Sequence, residues 1–193
     1  LIERSSREAW LRQQQLERLA TTDSVTGLAN RRAFEIEMQS RLRSAANNSE
    51  GICLVLVDLD HFKRINDRLG HDAGDRALHG MGQVLFAMGE EPGDISARWG
   101  GDELIAIWNC CRAELVEQRL EKLRQRAHSV GEQLSPSGRR RKPLTTVSIG
   151  GVVVVPSQLT RLEDLLRLAD EQLYEAKRSG RDCWRLAEHP TPA

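Results

Sequence analysis

Continuous apolar runs mark the strands of this sequence. Gly51–Asp60 reads GICLVLVDLD, apolar until it ends in two carboxylates, and this predicts a central strand buried on both faces. Leu144–Val155 predicts a further strand. Two shorter patterns, Asp94–Arg98 and Glu103–Trp108, flank a glycine pair, which is typical of a hairpin turn. Asp182–Leu186 predicts a last short strand.

Helices are predicted where apolar residues recur at spacings of three and four. The predicted helices cover 31–46, about 74–88, 112–134 and about 161–178. Thr160 with Glu163 forms a capping-box pattern at the start of the last one. Because the central strands are adjacent along the chain, the order favours an α+β fold, with helices packed on one sheet, over a strict βαβ repeat.

The two ends of the sequence differ from its middle. Residues 1–22 carry sparse apolar positions among Arg, Glu and Gln, and predict an exposed helical stalk. Whether it forms a coiled coil stays open, since it falls short of three heptads. The stretch DSVTGLAN at 23–30 is rich in turn formers, so we expect one domain over 23–187 and a tail over 188–193. The helical start, with no signal peptide, suggests a piece of a longer protein.

Composition argues against several classes of function. Lys and Arg total 28 and Asp and Glu total 28, so no global positive field attracts nucleic acid or an anionic membrane. The apolar runs are too short to cross a bilayer, so a membrane anchor would belong to a missing upstream region. The four cysteines lack CxxC spacing, which fits a cytoplasmic domain with Cys53 as a buried thiol. The basic run Arg139–Lys142 is either a solvated turn or a contact for anionic lipid.

Two pairs of acidic residues are candidates for chemistry. Asp58 and Asp60 share one face of the predicted central strand, and are either Mg²⁺ ligands or caps of the next helix. Asp102 and Glu103 follow the glycine pair, and read alone as an ordinary β-turn. Taken together, a strand carboxylate and a hairpin carboxylate could hold metal ions between them, as phosphoryl transfer requires.

Five segments resemble the GGDEF family of diguanylate cyclases, in family order and spacing. They are DSVTGLANRR (23–32), DLDHFKRINDRLGHDAGD (58–75), RWGGDEL (98–104), TVSIG (146–150) and ADEQLYEAKRSGR (169–181). The resemblance implies a fold similar to the palm of polymerases and class III nucleotidyl cyclases, with a ferredoxin-like sheet of antiparallel and mixed pairing. It also implies condensation of two GTP molecules into cyclic di-GMP and two pyrophosphates, across a face-to-face homodimer.

The resemblance also implies a metal site. Asp58, the backbone carbonyl of Leu59 and Asp102 would hold Mg²⁺ or Mn²⁺, two ions per active site. Asp102 is in addition the candidate base for the attacking 3′-hydroxyl, and Lys63 would neutralise charge that builds up on the phosphates.

The remaining family positions would bind GTP. Asn66 and Asp75 would read guanine, because a carboxylate can accept from the N1–H and N2–H₂ edge that adenine lacks. Phosphates would be bound by the backbone amides of His61 and Phe62 and by the cations Lys177 and Arg181. The two cations could equally complement a helix C-terminus. His71 contacts the nucleotide or only begins a helix.

Two positions depart from the family pattern. Leu104 stands where the family has Phe, a core position where the exchange would cost about 1–2 kcal/mol of packing without removing a ligand. The inhibitory product site, R-x-x-D, is degenerate: Asp94 fits its Asp, but Glu91 replaces its Arg. The leading prediction is an active cyclase. There are two alternatives, a catalytically silent GTP-binding module and a product-binding effector. Glu91 argues against the product-binding effector.

Overall fold

A computed structural model describes residue 7 and residues 20–89, 91–110, 112–134 and 143–189. These residues form six strands and five helices. In chain order they are β1 (Ala29–Asn30), α1 (Arg31–Asn48), β2 (Ile52–Leu59), α2 (Phe62–Leu69), α3 (His71–Phe86), β3 (Ile95–Gly100), β4 (Glu103–Trp108), α4 (Ala113–Gln133), β5 (Val147–Val154), α5 (Leu162–Arg178) and β6 (Cys183–His189).

One mixed sheet forms the centre of the fold, with the strand order β1-β3-β4-β2-β5-β6. The four inner strands pair antiparallel, whereas β1 and β6 add parallel pairs at the two edges. The predicted α+β class and its antiparallel-mixed sheet are therefore confirmed. The prediction that β2 is central and buried on both faces is also confirmed, since all eight of its residues are buried.

Alternating residues of β2 belong to two separate core layers. Cys53, Val55 and Val57 pack in a layer with apolar residues of α3 and α4. Leu54 and Leu56 pack in the opposite layer with α1 and α5. Because a strand directs successive side chains to opposite faces, one continuous apolar run supplies both layers.

The structure corrects several element predictions. Helix α2 was not predicted, and α3 begins at His71 rather than near residue 74. The capping box is wrong: Thr160 Oγ1 accepts the N–H of Ser157 at 2.9 Å, and α5 begins at Leu162 without a side-chain cap. Strand β1 was also not predicted, and β6 continues to His189.

Some predictions fall on parts of the chain that the structure does not describe. Most of the predicted stalk over 1–22 lies outside the described residues, as does the basic run Arg139–Lys142. Within the described ranges, every helix is too short or too polar to cross a membrane. Cys53 is fully buried as a free thiol, as predicted, and Leu104 is fully buried in the layer of α3 and α4.

Candidate active site

The end of β2 and the start of β4 meet at the same edge of the sheet. The strands are antiparallel, and Asp58 lies directly opposite Glu103 in their register. The backbone N–H of Leu59 donates to the carbonyl of Asp102 at 3.3 Å. The pairing therefore brings the strand carboxylate Asp58 and the hairpin residue Asp102 together, although they are far apart in sequence.

Asp58 is a buried carboxylate with one cationic partner. Lys177 at the end of α5 donates from Nζ to Asp58 Oδ2 at 2.8 Å. Burial raises the pKa of Asp58 to about 6; Lys177 opposes this shift, and the charges of Asp102 and Glu103 add to it. The surroundings of Asp58 therefore disfavour its negative charge even with the lysine present.

This environment fits a divalent cation. A hard cation prefers carboxylate and carbonyl oxygens. Its positive charge would compensate for the two effects that raise the pKa of Asp58, which are desolvation of the buried carboxylate and repulsion by Asp102 and Glu103. No group of three or more His, Cys, Asp and Glu side chains suited to a metal occurs among the described residues. A cation here would accordingly rely on Asp58, Asp102 and a backbone oxygen such as the Leu59 carbonyl.

Arg98 holds the hairpin that carries Asp102. Its Nε and Nη2 atoms donate to the carbonyl of Gly101 at 3.0 and 2.7 Å, and its Nη1 donates to Asp23 Oδ2 at 3.2 Å. Asp23 in turn accepts from the backbone N–H and the hydroxyl of Thr26, each at 2.8 Å. One guanidinium thus ties the turn before β1 to the hairpin between β3 and β4.

The two predicted guanine-reading residues lie on consecutive helices. Asn66 is half-buried on α2, and Asp75 is exposed on α3. Asn66 Oδ1 is buried without a hydrogen-bond partner. A Cβ added to Gly74 would lie 1.9 Å from that oxygen, so any larger residue at this position would displace the Asn66 side chain. His71, the first residue of α3, is exposed.

The predicted phosphate-binding residues surround the same end of β2. Helix α2 begins directly after it, with His61 at φ 58° and no capping bond from the His61 side chain. The first amides of a helix have no partner inside the helix, so the predicted phosphate contacts at His61 and Phe62 fall at a helix N-terminus. Lys63 is exposed. Arg181, in the turn before β6, has its Nε 4.0 Å from Asp60 Oδ1.

Asp60 has a different environment from Asp58. It accepts from Thr146 Oγ1 and Ser148 Oγ, both at 2.6 Å, and from the backbone N–H of Asp182 at 3.0 Å. It does not cap α2, so that alternative is wrong. Thr146 and Ser148 alternate in the segment TVSIG, and this polar alternation in an apolar strand was a signal that the sequence analysis did not use.

Asp94 of the degenerate product site is bound inside the protein. Its carboxylate accepts from Arg119 Nη2 at 2.7 Å and from the backbone N–H of Asn109 at 2.8 Å. The side chains of Asp94 and Arg119 are 2% and 8% exposed. Arg119, missed by the sequence analysis, also donates to the carbonyl of Met88 and stacks 4.2 Å from the centre of the Trp108 ring. Glu91 is exposed nearby.

Comparisons with known proteins agree with this architecture. Residues 20–183 match the family described as "Diguanylate cyclase, GGDEF domain". The crystal structure of the coiled coil and GGDEF domain of DgcB from Caulobacter crescentus, in complex with c-di-GMP, has a TM-score of 0.79 and 30% identity. The match covers 98% of this chain and 97% of that chain. The fold is thus the palm-like fold of these cyclases, and the chain belongs to the GGDEF family.

Curated relatives carry this domain within longer proteins. Cyclic di-GMP phosphodiesterase NbdA of Pseudomonas aeruginosa is 32% identical over 170 residues, which are 86% of this chain and 20% of that protein. Probable diguanylate cyclase DgcC of Escherichia coli is 31% identical over 173 residues, 89% of this chain and 44% of that protein. The chain therefore spans less than half the length of either relative. Binding of GTP and of divalent metal is typical of the family.

Proposed function

We propose that this chain is a diguanylate cyclase that condenses two GTP molecules into cyclic di-GMP and two pyrophosphates. The observation that carries the proposal is the juxtaposition of Asp58, at the end of β2, and Asp102, in the hairpin before β4, beside the cation Lys177. A carboxylate whose negative charge is disfavoured by burial and by its acidic neighbours, beside the cation Lys177, suits a nucleotidyl-transfer site.

The residues of the site would divide between recognition of guanine and binding of the triphosphate. Asp75 and Asn66 would bind the guanine edge, while Lys177, Arg181 and the backbone amides of His61 and Phe62 would hold the triphosphate. The 3′-hydroxyl of each GTP would attack the α-phosphorus of the other. In each attack the bond between the α-phosphorus and the bridging oxygen to the β-phosphate would break, so that two pyrophosphates leave.

The charge changes of this step fall on two residues of the chain. Asp102 is the candidate acceptor of the 3′-hydroxyl proton, and Lys63 would stabilise the charge of the departing pyrophosphate. Mg²⁺ or Mn²⁺, two ions bound by Asp58, Asp102 and the Leu59 carbonyl, would supply Lewis-acid activation and charge neutralisation.

A second copy of the chain is part of the proposed mechanism. Each active site would hold one GTP, so the reacting groups would come from two protomers facing each other. Specific activity should consequently rise with protein concentration in the dilute range. A specific activity that stays constant from nanomolar to micromolar protein would contradict assembly of the site from two free protomers.

Incubation with GTP and Mg²⁺ tests the proposed activity directly. We expect chromatography with mass detection to show cyclic di-GMP and pyrophosphate in a ratio of one to two, and to show neither with Asp102→Ala. Binding of GTP without any product would favour the silent module instead. Full burial of Leu104 in the core offers no support for that alternative, because the side chain contributes no ligand.

A further inference from the structure

The turn that carries Arg181 has an unusual backbone. Gly180, Arg181 and Asp182 all have positive φ angles, of 112°, 66° and 46°. Residues with a Cβ rarely adopt this region, so two of them in succession require surrounding interactions that hold them there. The turn joins α5 to β6, and its conformation sets the direction in which the Arg181 side chain leaves the fold.

Asp60 holds this turn from inside the protein. Its side chain is 1% exposed, and one of its oxygens accepts the backbone N–H of Asp182 at 3.0 Å. Hydroxyls of Thr146 and Ser148 fix the carboxylate in place at 2.6 Å. The same carboxylate lies 4.0 Å from Nε of Arg181. Asp60 therefore acts on both the backbone of the turn and the guanidinium that the turn presents.

Two residues of α4 hold the turn from outside. Arg124 Nη1 donates to Asp182 Oδ1 at 2.9 Å, and His128 Nε2 lies 2.7 Å from the same oxygen. Arg124 is itself fixed by a two-point contact with Glu121, at 2.8 and 3.0 Å. The Asp182 side chain is thus anchored to a long helix, while its N–H is anchored to Asp60.

We propose that Asp60 and Asp182 are positioning residues for the cyclase reaction. Together they hold the 180–182 turn so that Arg181 directs its guanidinium at the β- and γ-phosphates of GTP. Neither carboxylate needs to touch the nucleotide, since both act through Arg181. The inference rests on the proposed function, because it requires Arg181 to bind phosphate.

Calorimetric binding of two nucleotides tests this role. The probes are the α,β-methylene analogue of GTP and GMP, which lacks the β- and γ-phosphates. Asp182→Ala should weaken binding of the analogue roughly tenfold, the loss of one charge-assisted contact, and leave GMP binding unchanged. Asp182→Asn should restore the affinity, since Asn keeps an acceptor oxygen and tolerates a left-handed backbone.

Further variants separate positioning from general damage. Asp182→Ala combined with Arg181→Ala should bind the analogue no more weakly than Arg181→Ala alone. Asp60→Asn preserves the shape of the buried side chain and should also weaken only the analogue. Asp170→Ala, which removes an exposed carboxylate of α5, is the matched control. It should change neither the dissociation constant of the analogue nor that of GMP.

Equal losses for the analogue and for GMP, or additive losses in the double variant, would overturn the positioning role. If the unaltered chain bound the analogue and Arg181→Ala weakened it, while Asp182→Ala and Asp60→Asn did not, this inference would fail and the proposed function would stand. If the unaltered chain bound no analogue in the presence of Mg²⁺, the proposed function would fail first.

Discussion

Lys177 Nζ lies 2.8 Å from Asp58 Oδ2, so an ammonium group is the direct ionic partner of the carboxylate proposed to bind metal. The lysine does not fully compensate for burial, since the pKa of Asp58 is still raised from 3.8 to about 6. Any cation that binds Asp58 must therefore compete with Lys177 and with a proton. This relationship makes the site sensitive to pH.

Metal affinity should fall as the pH drops below about 6. Because metal binding needs the deprotonated carboxylate, we expect Mn²⁺ affinity, measured by electron paramagnetic resonance, to fall up to about tenfold per pH unit there. Asp58→Asn should bind weakly with a flatter pH dependence. The free energy of unfolding should change with pH in the opposite direction. Because folding raises the pKa of Asp58 from 3.8 to about 6, the protonated carboxyl stabilises the folded state below pH 3.8, and this stabilisation is lost as the pH rises through about 6. Equal Mn²⁺ affinities at pH 5 and pH 7 would contradict the assignment of Asp58 as a metal ligand.

Loss of either carboxylate should abolish turnover without unfolding the protein. Asp58→Ala and Asp102→Ala each remove a proposed metal ligand, and Asp58→Ala also relieves the burial of a charge. Cyclic di-GMP production should disappear while thermal unfolding temperatures stay level or rise. Asp102→Glu should keep part of the activity, and Glu37→Ala, at an exposed position of α1, should keep all of it. Full activity of either alanine variant would rule out its role.

Guanine recognition should depend on Asp75 and on the glycine beside Asn66. Asp75→Ala should weaken GTP binding by about 1.5–3 kcal/mol, the value of a charge-assisted hydrogen bond, and narrow the preference over ATP. Gly74→Ala should also weaken GTP binding, because its Cβ would displace the Asn66 side chain. Competition binding of GTP against ATP measures both effects. Unchanged selectivity in Asp75→Ala would mean that guanine is read elsewhere.

Asp94 should matter for stability and not for product inhibition. Asp94→Ala leaves the buried Arg119 without its carboxylate, which should lower the free energy of unfolding in urea by about 3 kcal/mol. Glu91→Ala, at an exposed position, is the control and should have little effect on the free energy of unfolding.

With the active site blocked by the GTP analogue, titrated cyclic di-GMP should show no submicromolar binding. Submicromolar binding that Asp94→Ala removes would contradict the degenerate product site.

The predictable parts of the fold are those with long apolar patterns. Strand β2 and the apolar face of α4 were predictable, because the spacing of apolar residues along the sequence indicates which face of an element packs against the core. Helix α2 was missed because its only buried residue is Ile65, and most of its other side chains are polar. The capping box failed because the Thr160 hydroxyl bonds Ser157 in a local turn instead.

The site was predictable only where residues stand in a recognisable motif. Asp58, Asp102 and Lys177 belong to matching segments, and the structure brings them together. Arg119 was not predictable in this way, because it stands outside the matching segments and its partner Asp94 lies in the connection before β3. Its position between Val116 and Leu123 on the inward stripe of α4 was the available signal, since a charge there must find a buried partner.

The rung that joins Asp58 to Glu103 also determines where the chain tolerates insertions and deletions. A change in length between α1 and β2, where Ser49 and Glu50 are exposed, alters a connection and leaves the β2–β4 pairing in place. A single residue inserted between Arg98 and Glu103 either enlarges the hairpin or slips the register of β4, and a slip turns every side chain of that strand to the opposite layer. Engineered fusions and linker variants should therefore be placed in the exposed α1–β2 connection, with the hairpin kept at its native length.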